Sequence, residues 1–503
     1  MQVKLRRKDV TIYPHRRNRG MRRLSGLVAS LFIFLGGFVS PAQADESSVT
    51  VLSRNIYLGA DVGIAMDLLP DFKAAAQFMW EQVELTDFNQ RSRVLANEIV
   101  TTQPDVIGIQ EATKWMCQKG LISSRVTVYD FTQMLLVQLE QLGFEYEVAT
   151  YQGKQAVNPG FSIPPIPHLT LVTDKDVFPA IFGAETVACG FEIADVLLVK
   201  SALSDKITAV GTTEYESAYT IIPTLMTVYR GFSWTDIEFN RTEVRFVTTH
   251  LESLWDEGEV PTAKIQAEQL VEDLLGSGIP VIAMGDFNSD PRDPRGSSQS
   301  NPGEQPVASE ICDEQVVNPS SNSAYSECNA YWTMIQAGYR DAGPDSQDSL
   351  NATWGANSLL SGPDPKRLNA AVDFGNQFGF SDRLDYIFLS PELEVSRAQL
   401  VGNIWPNAKN LWECKSPEQV ALSQEAVSIL GLTNSSAGCF PSDHAGLVVE
   451  VKFSSSDSNA ANYPDPHTRF PIGFWKGLII TLALLITIRI GRRIVTSRAS
   501  KAV

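Results

Sequence analysis

Histidine is scarce in this 503-residue sequence, cysteine pairs of the zinc-binding kind are missing, and acidic residues almost vanish from both ends. None of the six cysteines (Cys117, Cys189, Cys312, Cys328, Cys414, Cys439) stands in a C-x-x-C spacing, which argues against a cysteine-built zinc site. An even number in an exported domain points instead to disulfides. Cys312–Cys328 and Cys414–Cys439 would each close a local loop, although other pairings stay open. The missing acids expose a division of charge. Residues 1–24 hold nine Lys/Arg against Asp9 alone, and six Lys/Arg follow residue 475 with no acid. The middle then keeps 26 basic and 57 acidic residues, a net charge near −31. Such a surface repels polyanions unless a local basic groove or bound cations intervene, which weighs against a dedicated nucleic-acid binder.

Both ends read as membrane-targeting segments. Met21-Arg22-Arg23, an apolar run from Leu27 to Val39 and Ala42-Gln43-Ala44 match a secretory signal over residues 1–44, with Met21 an alternative start. Residues 470–490 are apolar except Lys476 and Arg489, long enough for a transmembrane helix, with Trp475 and Lys476 suited to the interface. The basic tail 491–503 then predicts a cytoplasmic C-terminus. A Ser- and Pro-containing stalk over 453–469 would carry a catalytic domain, residues 45–452, outside the cytoplasm.

Within that domain, short β-branched runs alternate with helical patterns, as in an α/β protein. Strands are predicted at Ser48–Asn55, Val106–Gln110, Glu145–Thr150, Val196–Val199, Glu243–Thr249, Val281–Met284, Leu384–Leu389 and Gly446–Val451. Helices are predicted near 88–101, 131–142 and 262–275, the last opening at Pro261. Residues 290–327 and 355–382 read as surface loops.

Polar residues recur where these strands end or begin: Ser53-Arg54-Asn55, Gln110-Glu111, Thr249-His250-Leu251, Gly285-Asp286-Phe287-Asn288, Arg383-Leu384-Asp385-Tyr386 and Ser442-Asp443-His444. Singly, each is an ordinary turn or cap. Together they hold two of the three histidines between the signal and the stalk, His250 and His444, with His168 the third. Hard oxygen ligands for a Mg²⁺-like ion, two imidazoles and carboxylates to orient them are the equipment for hydrolysing a phosphoester.

In this order, RNIY, QE, THLES, GDFN, RLDYIF and SDH resemble the endonuclease/exonuclease/phosphatase superfamily, over about residues 49–452. The resemblance implies a four-layer sandwich of two mainly antiparallel β-sheets flanked by helices. It implies Glu111 as principal metal ligand with Asn55 beside it, Asp443 as a second metal-side carboxylate, and Mg²⁺ or Mn²⁺ as cofactor. Asp286 and Asn288 would position phosphate and water, His444 would be oriented by Asp385, and His250 would be the second imidazole. The Thr-His-Leu form of the His250 motif is similar to the two-histidine branch, which includes sphingomyelinases and deoxyribonuclease-I-like enzymes. Residues 61–86, 152–190, 290–327 and 404–440 match nothing in that pattern, and no carboxylate partner for His250 is legible.

The expected chemistry is attack by water deprotonated by His444 or Asp286, with protonated His250 stabilising charge or protonating the leaving oxygen. Arg230 and Thr353-Trp354 are weaker candidates for the cleft. The predicted function is a membrane-anchored phosphodiesterase acting on a lipid head group or another small phosphoester. An extracellular nuclease and a catalytically idle, membrane-tethered binding module are the alternatives.

Overall fold

The computed structural model describes residues 48–453, apart from 223–225, 254–259, 294–314, 318–323, 327, 374–375, 377–378, 406–410, 415 and 433–437. The expected signal, stalk, membrane helix and basic tail lie outside the described residues, except that residue 453 closes the last strand. Among the described residues, no helix is long and apolar enough to cross a membrane.

Two main sheets carry the fold. The first contains β1 (Ser48–Asn55), β2 (Val106–Gln118), β3 (Thr186–Lys200), β9 (Leu393–Val401) and β10 (Gly446–Phe453), in the spatial order β9-β10-β1-β2-β3. The second contains β4 (Ile207–Glu214), β5 (Gly231–Phe239), β6 (Thr242–His250), β7 (Val281–Asp286) and β8 (Asp385–Leu389), in sequential order. The period-two alternation of side chains decides what each face meets. Val49 and Val51 of β1 join Phe246, Met284 and Ile387 of the other sheet in a core between the two. Leu52 of β1 points the opposite way, toward helices α2 (Phe72–Thr86), α3 (Phe88–Thr102) and α4 (Phe131–Gln141), with Trp80, Leu95 and Leu135. On the far side, Val247, Ala283 and Phe388 pack against α5 (Thr262–Leu275) and α6 (Ala330–Gln336) through Leu270 and Trp332. The result is a mixed α/β fold in which helices cover the outer faces of two facing sheets.

Gly108 shows how close the sheets come. A Cβ there would lie 2.9 Å from the Thr248 hydroxyl oxygen and 3.2 Å from the Met284 Cβ, closer than packed atoms tolerate.

Several expectations need correction. The strand predicted to end at Gln110 runs on to Gln118, because its register against β3 shifts between Ile109 and Ala112 and then resumes. A bulge absorbs the polar pair without ending the strand. The 355–382 segment carries a helix, Pro365–Asp373, and buries Leu360 and Leu368. The described part of 290–327 includes a short strand pair, Gln315–Val317 with Ala324–Ser326. In the unmatched 61–86 segment, Asp71 caps α2 by accepting from the Ala74 amide at 3.1 Å. Two disulfides are seen in full. Cys414–Cys439 is the expected local loop, whereas Cys117–Cys189 joins register partners on β2 and β3 across 72 residues of sequence. Cys328 is likewise disulfide-bonded.

Candidate active site

Strand register assembles half of the site. β6 and β7 pair in parallel with His250 opposite Asp286, and β7 and β8 pair antiparallel with Asp286 opposite Asp385. The other half comes from the first sheet. Asn55 ends β1, and the bulge in β2 gives Glu111 a φ of 58°, turning its side chain to the same edge. Residues 442–444 enter β10 beside them, tied down where the Ser442 hydroxyl donates to the Asn55 carbonyl at 2.7 Å.

All eight residues singled out for metal binding or catalysis meet in this region. Seven are buried and Asp443 is half-buried. Glu111, His250, Asp286, Asn288, Asp443 and His444 line one cleft of about 310 Å³. Asn55 and Asp385 lie behind its floor as hydrogen-bond partners. The Asn55 amide donates to Glu111 Oε1 at 3.0 Å and to Asp286 Oδ2 at 3.1 Å. His444 Nδ1 faces Asp385 Oδ2 at 2.9 Å, and its Nε2 lies 3.5 Å from Asp286 Oδ2. His250 Nε2 is also 3.5 Å from that oxygen. Asn288, at a φ of 47°, folds its amide N–H back to Asp286 Oδ1 at 3.0 Å and donates its side-chain amide to Leu251 O at 2.8 Å.

The residue that sequence reasoning could not supply for His250 is a cation rather than a carboxylate. Arg230 Nη1 lies 3.1 Å from His250 Nδ1, and Arg230 Nε donates to Glu252 Oε2 at 3.3 Å. A guanidinium only donates, so His250 Nδ1 must accept, and the ring proton belongs on Nε2. Burial, then Arg230, then His444 hold the His250 pKa well below its ordinary value. Against the expected protonated His250, the Arg230 contact and the lowered pKa both favour a neutral ring. His444 goes the other way. Burial alone would lower its pKa, but Asp385, Asp286 and Asp443 outweigh burial and hold it well above the ordinary value. Burial pushes the Asp286 carboxyl up to about 7, with His444 opposing and Asp385 reinforcing.

Trp354, a weaker candidate from the sequence, lines the cleft as well. Its indole N–H donates to Asp443 Oδ2 at 3.3 Å, and the Arg367 guanidinium stacks 4.2 Å from its ring centre. Arg230 and Trp354 were weaker candidates for the cleft and both line it, but their partners there were not legible, because both reach it from loops whose course no hydrophobic pattern reveals.

The donor chemistry suits a hard cation. Glu111 and Asp443 bring carboxylates to one edge of the cleft, where burial first and then Glu111 lift the Asp443 carboxyl toward about 6 despite His444, while Asn55 turns its amide nitrogen to Glu111 and its oxygen to the Tyr57 amide at 2.9 Å. A divalent ion relieves such crowding of like charge. Asp286, Asp385 and His444 also approach closely enough to share one ion, their ligand atoms all lying within 4.8 Å of one another. That trio contains none of the metal ligands implied by the sequence motifs, and its imidazole already spans the two carboxylates as a proton relay does.

The family model for the Endonuclease/Exonuclease/phosphatase family matches residues 77–444. No curated protein matches the chain. Solved structures with a similar fold include an endonuclease/exonuclease/phosphatase family protein from Leptotrichia buccalis, 15% identical at a TM-score of 0.40 over 80% of this chain and 100% of that one. A mannosyl-6-phosphatase of Bacteroides thetaiotaomicron is 14% identical at a TM-score of 0.38, covering 81% and 100%. The catalytic domain of human Nocturnin with a bound sulfate is 15% identical at a TM-score of 0.36, covering 81% and 94%. With the family model matched over most of its length, the chain belongs to the endonuclease/exonuclease/phosphatase family, a family of phosphoester hydrolases.

Proposed function

We propose that this protein is a divalent-metal-dependent phosphodiesterase, tethered to a membrane by residues 470–490 with its catalytic domain outside the cytoplasm, and that it acts on a lipid head group or another small phosphoester. The observation that carries the chemistry is the convergence of both imidazoles on one oxygen, Asp286 Oδ2, at 3.5 Å each. A water held there meets a carboxylate able to take its proton, with two rings positioned to pass protons on. Arg230 and Asn288 line the same cleft and supply donors for the non-bridging oxygens of the phosphate. Asp385 orients the His444 ring through Nδ1. Glu111 and Asp443, with Asn55 beside them, would hold a divalent cation, which would supply Lewis-acid polarisation of the phosphate.

The acidic middle of the chain and its two apolar end segments support the lipid-facing reading over the nuclease. The test is a screen of the full chain against sphingomyelin, inositol phosphates, DNA and RNA, with Mg²⁺ or Mn²⁺ and with EDTA. Turnover of a lipid or small phosphoester that EDTA stops and Mg²⁺ restores is expected. Cleavage confined to DNA or RNA would replace the lipid reading with the nuclease, and activity indifferent to EDTA would remove the metal.

A further inference from the structure

We infer that the substrate carries a hydrocarbon chain and that this chain lies in an apolar cavity adjoining the catalytic cleft. The inference rests on the phosphodiesterase reading and names its substrate class: a phosphodiester with a long alkyl or acyl substituent.

Beside the cleft lies a second cavity, of about 500 Å³, walled by the short helix α1 (Val62–Asp67), by α2, by the strand Val157–Ile163 and by β3. Leu69, Phe72, Met79, Trp115, Ile163 and Phe191 are among its walls, and among the described residues no charged side chain lines it. Protein interiors seldom leave apolar space of this size unfilled, since voids forfeit contacts. The volume falls within the roughly 300–1,000 Å³ of pockets that enclose small ligands. Three residues, Val62, Met66 and Phe161, line both this cavity and the cleft, so the two spaces adjoin at these side chains. A substrate occupying both would pass between them.

The lining selects the occupant. A sugar or nucleobase entering here would exchange water for few partners and leave its polar groups unpaired, whereas a hydrocarbon has none to lose. One of the few lining hydroxyls, Thr170 Oγ1, is already committed as acceptor for the Ile166 amide at 3.0 Å. Part of the rim is apolar as well: Ile166 and Tyr229 line the cavity while 40% and 46% exposed. Exposed apolar side chains at the edge of an apolar cavity favour delivery of a chain from a lipid surface.

The experiment uses the full chain held in amphipol, which leaves no free detergent to compete. Steady-state hydrolysis is measured with Mg²⁺ on methyl, butyl and octyl p-nitrophenyl phosphodiesters. Expected is a rise in kcat/KM of up to about fourfold for each added methylene, the ~0.8 kcal/mol of a buried CH₂. Ala76→Phe, which places a ring in the cavity from α2, should flatten that rise. An alkylphosphonate brominated along its chain supplies a readout without turnover: it should quench the fluorescence of Trp115 in the wall, and less so in Ala76→Phe. Turnover of all three esters at one rate overturns the cavity assignment and leaves the phosphodiesterase standing, whether the cavity is then empty or filled by this chain's own segment. Failure to hydrolyse any ester overturns the phosphodiesterase reading itself.

Discussion

His250 and His444 begin as the same side chain, one ending β6 and the other leading into β10 of the facing sheet, both buried with Nε2 3.5 Å from one carboxylate oxygen. They differ in what stands behind the ring. Asp385 behind His444 makes a proton on that imidazole favourable, and Arg230 behind His250 makes one unfavourable. One anion and one cation, each at hydrogen-bond distance from Nδ1, thus favour a charged ring in one case and a neutral ring in the other. A site built so holds one ring as a proton reservoir and the other as a neutral donor toward Asp286.

Removing what the two rings share should do the most damage. Asp286→Ala deletes the common acceptor, and a loss of about 10,000-fold in kcat/KM is expected, the upper end of acid–base contributions. Asp286→Asn keeps the shape but cannot take a proton, so comparable loss in both variants, with unchanged thermal unfolding, separates proton transfer from packing. Next come the rings singly. His444→Ala and His250→Ala should each lower kcat by about 100- to 1,000-fold, and the double variant should lose less than the product of the two if they serve one proton path. Full activity in either single variant would remove that ring from the reaction. Arg230→Ala is expected to cost about 10- to 100-fold, as the ~1.5–3 kcal/mol of a charged hydrogen bond implies, with KM rising more than kcat falls. A pure kcat effect would mean that Arg230 acts through His250 rather than on substrate phosphate.

What the sequence made legible follows from which forces are local. β1, β7 and α5 were readable because their alternation or helical period belongs to the segment itself. The polar strand ends were readable because buried acids and histidines stand out against apolar runs. Glu111 was readable as a site residue but not as a bulge residue: an interruption of the apolar run looks the same whether the strand stops or loops out one residue and continues. The Cys117–Cys189 bridge was hidden because loop length favours near neighbours, whereas strand register brought distant ones together. The charge of His250 was hidden for the same reason. Arg230 approaches it from the loop before β5, across a hairpin, and the identity of that neighbour is a tertiary fact.

The smallest expected effect sharpens the comparison most, because it asks only about charge. Unfolded, both rings titrate near the ordinary 6.5. His250 has its folded pKa depressed, so the folded protein binds fewer protons there, and stability is lost as pH falls below about 6.5. His444 has its folded pKa raised, so its contribution is fully present below 6.5 and is lost as pH rises through the folded value. In EDTA, between pH 5.5 and 8, His250→Ala should therefore gain in melting temperature relative to the unsubstituted protein as the pH is lowered. The deficit of His444→Ala should instead be greatest at the acid end and shrink as the pH rises. Shifts of only a few degrees are expected for a domain of this size. Parallel pH slopes in the two variants would mean that the anion behind one ring and the cation behind the other do not set their charge.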